Sequence, residues 1–119
     1  MDTTQLKEEI CKALDSKKAL DVTCVALEGL TSIADWFVIA SGRSTTQVKA
    51  LAENLEEIME KQFGVAALRV EGRSGGKWVV LDYGDVIVHV FEEETRKTYS
   101  LEQLWGDGSN VARFEESGE

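Results

Sequence analysis

The run Lys77–Phe91, KWVVLDYGDVIVHVF, commits this chain to a β-hairpin. Two β-branched stretches flank Tyr83-Gly84, and Gly at the second central position suits a two-residue loop that needs a positive φ there. With Asp82 and Asp85 closing the loop, the expected pairs are Leu81 with Val86, Val80 with Ile87, Val79 with Val88 and Trp78 with His89. Opposed residues share a face and successive residues alternate. One face then carries Val79, Leu81, Val86, Val88 and Val90, all aliphatic, and reads as core. The other carries Trp78, Val80, Asp82, Asp85, Ile87, His89 and Phe91. That mixed face is either a surface for a partner or a second buried face. In the second case Tyr99, Leu101, Leu104 and Trp105 would fold over it.

The rest of the chain supplies a sheet for the hairpin to join. Residues 2–18 show Leu6, Ile10, Ala13 and Leu14 on one helical stripe, with Asp2 or Thr3 as cap. Residues 20–27 and 35–40 read as strands, the second so uniformly apolar that it belongs in the middle of a sheet. Ser44 and Gln47 form a capping-box pattern before Val48, Leu51, Ala52, Leu55, Ile58 and Met59, and Gly64 ends that helix. Residues 66–71 read as a further strand, so strand, helix and strand predict a parallel right-handed crossover. Thr95–Trp105 is a short helix or turn. The expected architecture is one α/β domain over residues 1–107, with a mixed sheet of about five strands and helices on its aliphatic face. Residues 108–119 read as an acidic tail with a tendency to disorder.

Composition narrows the function classes. A chain of 119 residues with 43% hydrophobic content makes one globular core. No apolar run approaches the ~20 residues of a membrane span, and MDTTQLKEEI lacks a signal-peptide pattern. A cytoplasmic protein is expected, with Cys11 and Cys24 as buried, reduced thiols. The net charge of −9 opposes binding to nucleic-acid phosphates and favours a basic protein partner. Three features raise an enzymatic alternative, a nucleotide-binding or nucleotidyltransferase-like protein. The Ser41–Ser44 turn before a helix could cradle a phosphate, but it lacks a P-loop ending. Asp82 and Asp85 could hold a metal, though Asp is common at turns. His89 could act as a base, but no nucleophile accompanies it. One His and two distant Cys make no metal-ligand cluster. No catalytic residues, metal or cofactor are therefore assigned.

Three segments, ADWFVIASGRSTTQVKALAENL, GKWVVLDYGDVIVHVF and TRKTYSLEQLWGD, occur in the order and spacing of a known family. From about Leu6 to Asp107 the chain resembles the ribosomal silencing factors, also called Iojap. Trp36 stands where that pattern expects Tyr. The resemblance implies a fold related to nucleotidyltransferases without their catalytic carboxylates. It implies a non-enzymatic repressor of translation, often a homodimer, that binds a ribosomal protein on the joining face of the large subunit. Bound there, the factor keeps the small subunit from docking when nutrients are short. Carried over by motif, Trp78, Asp82, Tyr83, Asp85 and His89 fall on the family's hairpin, and Arg96, Tyr99, Glu102 and Trp105 on its C-terminal motif. The contact with the ribosomal protein is expected among these nine.

Overall fold

A computed structural model describes residues 1–114. Helix α1 (Thr3–Ser16) starts where the Asp2 carboxylate accepts from the Gln5 amide at 2.8 Å, and it buries Ile10, Cys11, Ala13 and Leu14. Helix α2 (Thr45–Phe63) is capped by Ser44, whose Oγ accepts from the Gln47 amide at 3.1 Å. The returning Gln47 Oε1 takes the Arg43 amide at 2.6 Å, one residue earlier than a capping box predicts. Gly64, at φ +67°, turns the chain out of α2, and the Val65 amide reaches back to the Met59 carbonyl. No helix among the described residues is long and apolar enough to cross a membrane.

Six strands form one mixed sheet: β1 (Leu20–Ala26), β2 (Trp36–Gly42), β3 (Arg69–Glu71), β4 (Trp78–Asp82), β5 (Val86–Glu92) and β6 (Val111–Arg113). Their order is β3-β4-β5-β2-β1-β6, and only β2 and β5 run parallel. Two short helices, α3 (Glu93–Tyr99) and α4 (Leu101–Trp105), follow β5. The apolar strand β2 does sit inside the sheet, between β5 and β1.

Four expectations need correction. The sheet has six strands rather than about five, because β6 lies in the segment read as tail. It is three residues long, too short for an alternation signal, and it pairs with β1 through Cys24 and Ala112. Residues 115–119 of that segment lie outside the described residues. The third strand is also shorter than residues 66–71, starting only at Arg69. The parallel neighbour of β2 is β5, not β3. The β4–β5 hairpin inserts its longer, more apolar strand beside β2 and leaves β3 at the edge.

The fourth correction is the hairpin register. Trp78 pairs with Phe91, Val80 with His89 and Asp82 with Ile87. The Tyr83 amide donates to the Val86 carbonyl at 2.9 Å, so the loop is Gly84-Asp85 with Gly first, at φ +90°. The slip amounts to two residues on the opposing strand. Side chains alternate with period two, so every strand residue keeps the face expected of it.

Each face has its own cover. Val79, Leu81, Val86, Val88 and Val90 pack under α1 and α2, against Ile10, Leu14, Val48, Leu51, Leu55 and Met59. The opposite face carries Phe37, Ile39 and Phe91 with Val25 and Leu27, closed by Leu101 and Trp105 of α4. Of the two readings of the mixed face, burial under the C-terminal segment is therefore the one the fold adopts for its inner part.

The β3–β4 connection depends on Gly72, whose φ is +89° and where an added Cβ would collide with the Trp78 carbonyl oxygen. Neither the dihedral nor the space suits a side chain. Gly72→Ala is expected to lower stability by about 2 kcal/mol or more. Urea denaturation measures this, and an unchanged midpoint would mean that the turn rearranges freely.

Candidate partner-binding face

Strand alternation delivers Trp78, His89 and Phe91 to the face that α3 and α4 cover. Phe91 is fully buried. Trp78 stacks on it at 4.8 Å between ring centroids, and Tyr99 lies against Trp78 at 4.7 Å. Phe37, from β2, meets His89 edge-on at 4.6 Å and Trp105 at 5.8 Å. Such edge and offset contacts each add about 0.5–1.5 kcal/mol beyond area burial. The result is an aromatic layer continuous from the sheet to the underside of the two short helices.

His89 is part of that layer rather than of the surface. The Trp78 indole Nε1–H donates to His89 Nδ1 at 3.0 Å. Nδ1 is thus the acceptor, and the neutral ring carries its proton on Nε2. Nε2 is buried and has no partner among the described residues. Burial pulls the His89 pKa down from 6.5 to about 4.

Arg96 fixes the cover to the sheet. Its guanidinium is buried and donates from Nε to Glu102 Oε2 at 2.9 Å. From Nη1 it donates to the Asp21 carbonyl at 2.8 Å and to Ser41 Oγ at 2.9 Å, and from Nη2 to Thr23 Oγ1 at 3.1 Å. Arg96 therefore joins α3 to α4, β1 and β2. The backbone bends to allow it. Asp21 sits at φ +48° beside a register irregularity in β1, and that turn presents its carbonyl to Arg96. Ser100, at φ +47°, ends α3 and starts α4, which swings Glu102 back toward Arg96. Asn110 completes the clamp, its side-chain amide donating to the carbonyls of Ala26 at 2.8 Å and Trp105 at 3.1 Å. A cleft of about 400 Å³ opens over Arg96, between Asp21, Ser41, Lys97 and Glu102.

The nine expected site residues separate into distinct places. Trp78, His89, Tyr99 and Trp105 meet in the aromatic layer, and Arg96 and Glu102 form the clamp beside it. Asp82 and Asp85 stand at the far end of β5, a strand of seven residues that spans about 20 Å. There Asp82 Oδ1 accepts from the Gly84 amide at 2.8 Å, and exposed Asp85 accepts from Thr3 Oγ1 at 3.2 Å. Tyr83 points the other way, into the α1–α2 core. Burial raises its pKa, with help from Glu56 and Glu60, and its hydroxyl has no partner among the described residues. Tyr99, 53% exposed, and Leu104, 72% exposed, face solvent among Glu93, Glu94, Lys97, Gln103 and Asp107, with Lys97 Nζ 3.5 Å from the Glu94 carboxylate.

Sequence reasoning overlooked Phe37, Thr23, Asp21 and Asn110. Thr23 gave one signal, a polar residue in an otherwise apolar strand. Ser41 was weighed as part of a phosphate turn, whereas its hydroxyl serves Arg96. Among the described residues, no three His, Cys, Asp or Glu side chains gather as a metal site.

The family described as ribosomal silencing factor during starvation matches residues 1–119. The chain belongs to this family. A Halalkalibacterium halodurans relative, named ribosomal silencing factor, is 40% identical over 93% of this chain and 94% of its own length. A mouse relative, named mitochondrial assembly of ribosomal large subunit protein 1, is 31% identical over 77% of this chain and 41% of the mouse protein. A crystal structure of a Chromobacterium violaceum protein superposes with a TM-score of 0.84 at 32% identity, covering 100% of this chain and 95% of the other. Ribosomal silencing factors are regulators by name.

Two outcomes follow from the buried polar groups. Unfolded, His89 takes up a proton near pH 6.5; folded, it resists until about pH 4. Its contribution is whole above about pH 6.5 and is lost as the pH falls toward 4, by at most about 3 kcal/mol. Denaturation midpoints across that window are expected to fall less steeply for His89→Gln than for the parent, and parallel slopes would refute the assignment. Arg96→Ala takes the ion-pair partner from Glu102 and a donor from the Ser41 hydroxyl, while Thr23 keeps its bond to the Asp21 carbonyl, so a loss of about 3 kcal/mol is expected in urea melts. Arg96→Lys is expected to recover only part of it, because an ammonium cannot reproduce the fork.

Proposed function

We propose that this chain silences ribosomes by docking the solvent side of α3 and α4 on a basic ribosomal protein at the joining face of the large subunit. Docked there, it blocks the small subunit and represses translation under nutrient limitation. One observation carries the reading. Tyr99 and Leu104 stand exposed on a support that Arg96 and the aromatic layer make rigid. Exposed aromatic and aliphatic groups with a charged rim are what interface centres are made of. Glu94 and Asp107 supply the rim, and the net charge of −9 steers the chain toward a basic protein and away from RNA phosphates.

In this reading Trp78 and His89 support the contact from beneath, while Tyr99, with the edge of Trp105, touches the partner. Asp82 and Asp85 serve the hairpin turn and Tyr83 the core. The protein works in the cytoplasm, as a homodimer when unbound, on a nucleotidyltransferase-like framework used without catalysis. The docking function extends past residue 107, because Asn110 and β6 hold α4 and β1 in place.

Co-sedimentation with separated large and small ribosomal subunits tests the proposal. Binding to the large subunit alone is expected. Tyr99→Ala and Leu104→Asp should each weaken it at least tenfold, about 1.4 kcal/mol, with unchanged thermal melts. Full binding by both folded variants would move the contact elsewhere. Heat on titration with a nucleoside triphosphate and Mg²⁺, without ribosome binding, would favour the enzymatic alternative.

A further inference from the structure

Cys11 and Cys24 take no part in the face described above. Cys11 lies on α1 and Cys24 on β1, both packed into the core on the α1–α2 side of the sheet. Their sulfurs are 3.3 Å apart, thiol against thiol, and both are free. A disulfide bond measures about 2.05 Å, so the sulfurs need approach by only about 1.2 Å to form one. Neither element has to unfold for that approach, because the two residues already face each other.

The two thiols are not equivalent. Cys11 is fully buried, whereas Cys24 lies at the floor of a cleft of about 250 Å³ beside Lys7, Trp36, Arg113 and Phe114. A cleft of that size has ample room for a small hydroperoxide. Either thiol can donate in this contact; with Cys11 as the donor, the bond holds the Cys24 thiol below its usual range, against burial and with the help of the nearby Lys7 ammonium. The same bond, together with burial, pushes the Cys11 thiol up. Glu8, facing the pair from α1, opposes thiolate formation at both. Cys24 is buried too, but it borders the cleft and so is the thiol a small oxidant reaches first; with Cys11 as donor it is also the more easily ionised, as an attacking cysteine must be.

We propose that Cys11 and Cys24 form an oxidisable dithiol that a hydroperoxide converts into a disulfide between α1 and β1, with Cys24 attacking and Cys11 resolving. The Cys24 thiolate attacks one oxygen of hydrogen peroxide and breaks the O–O bond. It becomes a sulfenic acid, and the departing hydroxide takes a proton to leave as water. The Cys11 sulfur then attacks Cys24 Sγ, the S–S bond forms, and the sulfenic hydroxyl leaves as a second water with the Cys11 proton. Two thiols and one peroxide give one disulfide and two waters. The cross-link closes the α1–β1 connection on the face opposite the aromatic layer. It staples the N-terminal helix to the sheet and leaves the partner-binding face unaltered.

The test uses the full reduced chain and equimolar hydrogen peroxide, read by intact mass, thiol titration and a non-reducing peptide map. The expected result is a loss of about 2 Da, disappearance of both thiols together, one intrachain Cys11–Cys24 peptide, a raised Tm, and full reversal by dithiothreitol. In Cys11→Ser, dimedone should trap a sulfenic acid on Cys24. In Cys24→Ser, Cys11 should react at least tenfold more slowly. Survival of both thiols where a free cysteine standard is consumed, disulfides between chains, or faster labelling of Cys11 than of Cys24 would each overturn the proposal. If a serine variant fails to fold, the parent chain's mass and peptide map still decide.

Discussion

The guanidinium of Arg96 ties the two short helices that follow β5 to the sheet. The helices α3 and α4 have seven and five residues, far too few to be stable alone. They exist because one buried cation gathers a carboxylate from α4, a carbonyl and a hydroxyl from β1 and a hydroxyl from β2. The acceptors come from residues 21 to 102, so the clamp forms only when the sheet is already in order. Two of the positive-φ residues outside glycine, Asp21 and Ser100, lie at this clamp. Backbone strain of this kind costs about 1–3 kcal/mol per residue and persists where surrounding contacts over-determine it.

A rigid clamp beneath a small exposed patch is a way to bind with little ordering cost. Tyr99 rests on Trp78, Trp78 on Phe91, and the indole N–H of Trp78 on His89. Each ring is held by the one below it, down to a fully buried strand residue. A partner meeting Tyr99 therefore meets a side chain with few alternatives left to lose. The neutral His89 is consistent with that use, since a charged ring could not accept the indole proton.

Much of this architecture is legible in the sequence where a periodic pattern is long. The helices read from Leu6 to Leu14 and from Val48 to Met59 are present, and so are the strands around Val38 and the hairpin. The two faces of the hairpin are also as the alternation of Val79, Leu81 and Val88 requires. The failures have common causes. Local turn chemistry at Tyr83-Gly84-Asp85 allows loops two residues out of step, and period-two alternation cannot tell them apart. Strand order depends on which strand beside β2 buries more apolar surface, a comparison between distant segments. β6 is too short to show any period. In the candidate site, the sequence names motif residues but not which of them lie buried and which exposed. Burial separates Tyr99 from His89, and no residue in the sequence announces that Thr23 and Ser41 share one arginine.

The sheet also ends in a particular way. Its outer strands, β3 and β6, have three residues each among those described, and both carry an arginine, Arg69 and Arg113. Open edges of that length offer another chain almost no ladder to extend. Two copies of this protein are thereby steered away from joining sheet to sheet, and with them the route by which an acidic, valine-rich hairpin protein would grow into fibres. Any pairing between copies would fall to side-chain surfaces, whose strength can be tuned one residue at a time without touching the backbone.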